Sequence, residues 1–171
     1  MISKYKYINF QYNLQEVMEI LPNIDGLPGR HKIQSLNYYQ KKELEKVLKP
    51  KYTITSVLYF RLLSKSIGNV HIDTDLNSDN KQPKVALNIP ILNGDIAIMY
   101  WYQQLPNTIT KSFPGPTSKT STPMLNHNDT ICTNKTIMNR PTLVKIDDWH
   151  SISNISDNDN CEILSIRFLN K

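Results

Sequence analysis

Two widely separated stretches of the chain carry side chains that could bind one metal ion. His71 and Asp73 are two residues apart, so on an extended strand both side chains leave the same face. His150 follows Asp73 by 77 residues, and only a fold that returns the chain across several strands can bring it close. Two imidazoles and one carboxylate form the ligand set of a mononuclear non-haem iron(II) site with open coordination positions. The three residues are therefore a candidate metal site.

A second His-x-Asp triplet, formed by His127 and Asp129, is an alternative source of ligands. It lies in a polar stretch rich in Asn and Thr, and only 21 residues separate Asp129 from His150, enough for a hairpin but not for a rolled-up sheet. His71 and Asp73 instead end an apolar strand and open a polar loop. Because metal ligands must be held by rigid elements, we favour the first pair. A histidine in a strand can also be an ordinary core or edge residue, and that interpretation stays open.

The elements that must position these residues are predicted from the hydrophobic period. A helical period begins at Leu14 and would end at Pro22, and residues 37–49 form a second helix that Pro50 closes. From residue 52 the period is that of strands, with many β-branched and aromatic residues. The predicted strands are residues 53–63, 70–73, 84–91, 95–103, 142–147, 150–155 and 161–169, with one more within 130–138.

Residues 105–141 differ from the rest of the chain because they hold five of the ten prolines and few large apolar side chains. A loop of this length is often a lid or a binding loop, and we predict one here. Seven or eight short strands, with helices only near the N-terminus, predict a mainly β fold of the jelly-roll type. We divide the chain into an N-terminal helical segment, residues 1–51, packed on the outside of a β core that spans residues 52–171.

The composition indicates one domain, since 171 residues suffice for a single core of useful size. The net charge of +5 is concentrated in residues 1–65, where 11 basic residues face 5 acidic ones, but no run of basic residues occurs. We interpret this charge as a solvated surface, and nucleic-acid binding is not favoured.

The compartment is predicted from cysteine usage and apolar runs. Cys132 and Cys161 are too few for a disulfide framework. No apolar run approaches the length of a membrane span, and the first residues lack the apolar core of a secretory signal. We therefore expect a cytoplasmic protein without a membrane partner. The excess of Lys over Arg and the abundance of Asn are typical of an AT-rich coding sequence, such as that of a phage, whose product would act in the host cytoplasm.

The order of the motifs resembles that of the iron(II)/2-oxoglutarate-dependent oxygenases. More narrowly, it is similar to the aspartyl/asparaginyl β-hydroxylase-like and small phage-encoded members. The resemblance covers about residues 52–169 and is carried by His71-x-Asp73, the strand at 84–91, Trp149-His150-Ser151 and residues 163–168. It implies a double-stranded β-helix, or cupin-like fold, an Fe(II) ion held by His71, Asp73 and His150, and 2-oxoglutarate and dioxygen as co-substrates.

The resemblance also implies a basic residue on the last strand that holds the distal carboxylate of 2-oxoglutarate. Asn160 and Cys161 occupy roughly its expected place, which is a departure from the family. Arg167 is the only arginine on the last predicted strand, and it shares a face with Ser165 by alternation. A guanidinium at this position could bind the carboxylate in a bidentate way, or it could point outward as a solubilising group. The other candidates in predicted strands are Tyr59, Lys84 and Arg61.

The predicted activity is hydroxylation of a protein side chain, a small molecule or a nucleobase, with no catalytic residue beyond the metal ligands. The alternative is a catalytically inactive jelly-roll protein that binds a partner or serves a structural role, for example as a phage accessory component. The absence of an arginine near Asn160 keeps this alternative open.

Overall fold

The computed structural model describes residues 4–73, 84–114 and 121–168, and these residues form two six-stranded antiparallel sheets and two α-helices. The helices are α1 (Leu14–Ile20) and α2 (Tyr38–Leu48). The strands are β1 (Tyr5–Tyr7), β2 (His31–Ser35), β3 (Ile54–Leu62), β4 (Val70–His71), β5 (Val85–Leu92), β6 (Ala97–Gln104), β7 (Lys111–Pro114), β8 (Ser121–Leu125), β9 (Thr130–Ile137), β10 (Thr142–Lys145), β11 (His150–Asn154) and β12 (Cys161–Phe168). Within these residues, neither helix has the length and apolar character needed to cross a membrane.

The connectivity is that of a jelly roll. The first sheet has the order β1-β10-β5-β12-β3-β2, and the second has the order β7-β8-β4-β11-β6-β9. Strands β3, β5, β10 and β12 lie in the first sheet, whereas β4, β6, β9 and β11 lie in the second, so the chain passes repeatedly from one sheet to the other. The prediction of a mainly β, jelly-roll or cupin-like fold is confirmed.

The central strand β12 separates two hydrophobic cores, and all eight of its residues are buried. Alternation sends Cys161 and Ile163 into the core between the two sheets, and Leu164 and Ile166 into the core beneath the helices. Because both faces of the strand are buried, its apolar residues occur at odd and even positions alike, interrupted by Glu162, Ser165 and Arg167.

Helix α2 covers the outer face of the first sheet. Its N-terminus carries a capping box, in which the Asn37 side chain accepts from the Gln40 amide and the Gln40 side chain accepts from the Asn37 amide. Leu44 and Leu48, four residues apart, are its buried residues, and they belong to the outer core. The helix therefore lies where its apolar stripe requires.

The N-terminal segment, residues 1–51, also contributes to the first sheet. Strand β1 pairs with β10 at one edge, and β2 pairs with β3 at the other. The predicted loop at 105–141 also contains regular structure. Its described part includes the β7–β8 hairpin and strand β9, which pairs with β6. These additions place β2 and β8 beside the predicted metal ligands.

Candidate metal site and cavity

The two predicted histidines lie on adjacent strands of the second sheet. His71 on β4 and His150 on β11 are direct cross-strand partners, and their ring centroids are 4.5 Å apart. Asp73 follows β4, and its backbone N–H donates to the carbonyl of Ile146 at 3.2 Å, which holds the carboxylate close to the pair. The pairing of β4 with β11 is thus what brings the two distant stretches of sequence together.

The ligand atoms of these residues are close enough to contact one ion. Oδ1 of Asp73 lies 3.5 Å from Nε2 of His71, and Oδ2 of Asp73 lies 3.8 Å from Nε2 of His150. The three ligand atoms all lie within 4.8 Å of one another. Two ligands at right angles, each about 2.1 Å from one ion, are about 3 Å apart, so small side-chain shifts would close this set on a metal. In the part of the chain that the structure describes, no other group of three such residues is found.

Hydrogen bonds fix the orientation of both imidazole rings. Nδ1–H of His71 donates to the backbone carbonyl of Asn69 at 2.8 Å, and Nδ1–H of His150 donates to that of Asp148 at 2.8 Å. A carbonyl only accepts, so the proton of each neutral ring is on Nδ1 and the lone pair of Nε2 faces Asp73. Metal-binding histidines are commonly held in this way, with the second nitrogen bonded to a carbonyl or carboxylate. The donor set therefore fits a metal ion.

The pKa shifts of two of the three side chains, Asp73 and His150, favour the forms that bind a cation. Burial by itself would raise the pKa of Asp73, but the positive charge of Arg167 and the two histidines outweigh it and lower that pKa. Burial, reinforced by His71, lowers the pKa of His150 to about 4. For His71, burial favours the neutral ring, but the hydrogen bond and charge of Asp73 outweigh it and raise the pKa. At neutral pH the site therefore offers an ionised carboxylate and a neutral imidazole at His150.

Arg167 reaches the same site from the first sheet. Its Nη2 atom lies 2.9 Å from Oδ2 of Asp73, and its side chain faces the interior, with the residue only 8% exposed. Ser165 faces the same way, as the alternation along β12 predicts. Of the two orientations considered from the sequence, the inward one is found.

A cavity of about 290 Å³ opens beside these residues, between the two sheets. Its polar lining includes Arg167, Ser165, Asn88 and the three predicted metal ligands, named here the metal-ligand group, which are His71, Asp73 and His150. Its apolar lining includes Ile33, Leu58, Phe60, Leu62, Met99 and Met124. The volume is at the lower end of the range for pockets that bind small molecules.

His31 also lines this cavity, although no role was predicted for it. It lies on β2, opposite Leu62 of β3, and faces inward together with Ile33. Its Nε2 atom is buried and has no hydrogen-bond partner among the residues that the structure describes, and burial lowers the pKa of the ring. The alternation of residues 31 and 33 was the available signal, but it did not show that β2 joins the sheet.

Three further candidates for co-substrate binding lie outside the cavity. By alternation, Tyr59 and Arg61 face the opposite side of β3 from Phe60. The Tyr59 hydroxyl donates to the carboxylate of Glu162, and Nε of Arg61 donates to the same carboxylate at 2.6 Å. Lys84 is exposed just before β5. The structure therefore brings Arg167 and Ser165 to the metal-ligand group, but not Tyr59, Lys84 or Arg61.

The second His-x-Asp triplet has a different setting. Nε2–H of His127 donates to the backbone carbonyl of Gly68 at 2.8 Å, and Asp129 accepts from the side chain of Asn126 at 3.0 Å. His127 thus supports the segment that leads into β4. Neither residue belongs to the group of possible metal ligands.

Comparisons with known proteins give no close relative. No family model matches the chain, and no curated protein matches it. Among solved structures, the chain is similar to HygX from Streptomyces hygroscopicus, solved with nickel and 2-oxoglutarate bound, at 12% identity and a TM-score of 0.49, covering 96% of this chain and 82% of that one. It is also similar to an oxidoreductase of the 2OG-Fe(II) oxygenase family from Burkholderia pseudomallei, at 9% identity and a TM-score of 0.44, covering 91% and 77%.

A third similar structure is that of E. coli ycfD, at 11% identity and a TM-score of 0.48, covering 88% of this chain. The chain spans only 37% of the length of that protein. Similarity at this level identifies neither a family nor an activity, so the function must be inferred from the side chains in the cavity.

Proposed function

We propose that this protein is an iron(II)- and 2-oxoglutarate-dependent oxygenase that hydroxylates a substrate bound in the cavity. One observation carries the proposal, namely that His71, Asp73 and His150 meet at one wall of a cavity with Arg167 beside them. Two imidazoles and a carboxylate leave several coordination positions of an octahedral ion open, which distinguishes this set from a closed structural zinc site.

The proposed metal ligands would be held in place by neighbouring groups of the chain. Asp73 supplies a carboxylate that is held ionised by Arg167, while the carbonyls of Asn69 and Asp148 fix the two rings with Nε2 facing the ion. A bound iron(II) ion with 2-oxoglutarate supplies the chemistry that activates dioxygen for insertion of one oxygen atom into a substrate C–H bond.

The co-substrate needs a cationic or hydrogen-bonding partner for its distal carboxylate. The guanidinium group of Arg167 carries five N–H donors, and both this group and the hydroxyl of Ser165 line the cavity, where they would meet a carboxylate. Leu58, Phe60 and Met99 supply an apolar wall of the same cavity.

The test is an anaerobic titration of the protein with iron(II) followed by 2-oxoglutarate, monitored in the visible range. The proposal predicts stoichiometric iron binding and a weak charge-transfer band that appears only when both are present. Iron binding without this band would instead indicate a cupin that uses its metal for another purpose. No iron binding would indicate the binding or structural protein considered as the alternative.

A further inference from the structure

Asn88 is a buried amide that the fold does not satisfy. It lies on β5, faces the cavity and is 4% exposed. Its Oδ1 atom has no hydrogen-bond partner within the described residues, and its Nδ2 atom has only the sulfur atoms of Met99 and Met138, at 3.9 and 3.8 Å. Thioether sulfur is a weak acceptor. Because burying an unsatisfied polar group destabilises a protein, a group in this state calls for a functional explanation.

A second buried asparagine shows what a structural amide looks like in this protein. Asn154 is 2% exposed. Its Nδ2 atom donates to the carbonyls of Leu62 at 3.1 Å and Asp159 at 2.7 Å, and its Oδ1 atom accepts from the amide of Ser156 at 2.9 Å. The protein thus supplies hydrogen-bond partners for both the nitrogen and the oxygen of the Asn154 amide. At Asn88 the corresponding partner is left to whatever occupies the cavity.

The register of the first sheet places Asn88 beside the proposed carboxylate site. Asn88 and Ser165 are direct cross-strand partners on β5 and β12, and both line the cavity. Arg167 lies two residues further along β12, a rise of about 7 Å. Since the oxygen and nitrogen of an amide exchange places by rotation, Asn88 can turn its NH₂ group toward the cavity. Asn88 and Ser165 then present two neutral donors side by side.

The spacing between Ser165 and Arg167 along β12 is comparable with the length of 2-oxoglutarate. The four C–C bonds of its chain, each about 1.5 Å, span about 5 Å when extended. A molecule whose 2-oxo acid end lies at the proposed metal ligands would extend its distal carboxylate toward Ser165 and its cross-strand partner Asn88, which line the same cavity. Arg167 contacts Asp73 at 2.9 Å, so part of its charge is compensated before the co-substrate arrives.

From this arrangement, and resting on the proposed function, we infer that Asn88, together with Ser165, recognises the distal carboxylate of 2-oxoglutarate. The pair selects a dicarboxylic co-substrate over 2-oxo acids of the same length that end in an uncharged group. Asn88 is then a specificity-determining residue, whereas Arg167 supplies the positive charge and holds Asp73.

The experiment compares wild type with Asn88→Leu, both loaded with iron(II) under anaerobic conditions. Each protein is titrated with 2-oxoglutarate and with 2-oxopentanoate, which has the same chain but no distal carboxylate. The Kd for 2-oxoglutarate should rise at least about tenfold in the variant, since a hydrogen bond to a charged group is lost. The Kd for 2-oxopentanoate and the affinity for iron(II) should stay the same. Asn88→Ala, which only removes atoms, gives the same comparison if leucine does not fit.

Thermal unfolding of the ligand-free proteins supplies a second readout. Asn88→Leu should leave Tm unchanged or raise it, because an unsatisfied buried amide is replaced by an apolar side chain. Asn154→Leu is the matched control and should lower Tm, without changing the Kd for 2-oxoglutarate. A purely structural role for Asn88 predicts the opposite, namely a lower Tm with unchanged co-substrate binding.

The two levels of the proposal fail in different ways. Unchanged 2-oxoglutarate binding by Asn88→Leu, or equal loss of binding for both acids, would overturn the inference about Asn88 alone. Absence of 2-oxoglutarate binding by iron-loaded wild type would overturn the proposed function and the inference together.

Discussion

The guanidinium group of Arg167, on the first sheet, lies 2.9 Å from the carboxylate of Asp73, which follows a strand of the second sheet. The same carboxylate lies within 4 Å of His71 and His150. The pair therefore joins the two sheets at the point where the proposed metal ligands meet. Because Arg167 orients Asp73 and lowers its pKa, a change at Arg167 should affect the metal as well as the co-substrate.

Replacing Arg167 with glutamine should weaken iron(II) binding about 10- to 100-fold, as is typical when a partner of a metal ligand is removed. Binding of 2-oxoglutarate to the iron-loaded protein should weaken too. Anaerobic isothermal titration calorimetry measures both affinities. Arg61→Gln is the matched control, because Arg61 is also a strand arginine paired with a carboxylate, that of Glu162, but on the outer face. It should lower the free energy of unfolding and leave both affinities unchanged. Equal losses in the two variants would contradict the assignment.

Replacing His71 with alanine should abolish stoichiometric iron(II) binding and leave the fold intact. The residue lies at the end of a two-residue strand, and its side chain is 26% exposed, so little packing is lost. His127→Ala is the control from the other His-x-Asp triplet. It should keep iron binding but lose about 1 kcal/mol of stability with its hydrogen bond to Gly68. Iron titration and chemical denaturation separate the two effects, and the reverse pattern would transfer the site to His127.

The proximity of His71 and Asp73 could be predicted from the sequence because it is local, whereas His150 joins them only through the pairing of β4 with β11. A spacing of two residues places His71 and Asp73 on one face, and the flanking strands indicate rigid support. The same reasoning explains why Arg167 and Ser165 were predicted to share a face. Two residues at positions i and i+2 of one strand share a face whichever strand lies beside it.

The orientation of a side chain toward or away from the cavity could not be predicted where it depends on the register between distant strands. Asn88 faces the cavity because it pairs with Ser165, whereas Tyr59 faces away because it pairs with Leu164. Nothing in the local sequence distinguishes these two outcomes, since either face of a strand buried on both sides can be the inner one. His31 was missed for a related reason, because β2 reaches the cavity only by joining the edge of β3.

The two cysteines should differ sharply in reactivity. Cys132 is exposed on β9, whereas Cys161 is fully buried in the core between the sheets. Burial raises the pKa of the Cys161 thiol to about 12, so at pH 8 only about one such group in ten thousand is ionised. One thiol per native chain should therefore react rapidly with Ellman's reagent at pH 8, and two should react in denaturant. Cys132→Ser should remove the rapid reaction, and a rapid phase that persists in this variant would show that Cys161 is accessible.

Replacing Gly68 with alanine should disturb the metal-ligand group through the backbone. A Cβ atom at this position would lie 2.3 Å from the carbonyl oxygen of Ile152, to which the Gly68 amide donates at 3.0 Å. The obstacle is backbone of β11, which cannot move away without altering the pairing of His71 with His150. We expect a loss of about 1–3 kcal/mol in the free energy of unfolding, the usual range for overpacking, together with weaker iron(II) binding.

Gly26→Ala is the matched control for this substitution, because a Cβ atom there would meet nothing within 4 Å. This variant should be as stable as wild type or slightly more so, since alanine restricts the unfolded chain more than glycine does. Denaturant titration and anaerobic iron titration of both variants measure the effects. If Gly68→Ala keeps wild-type stability and iron affinity, then β4 does not lie against β11 as described, and His71 and His150 do not share one ion.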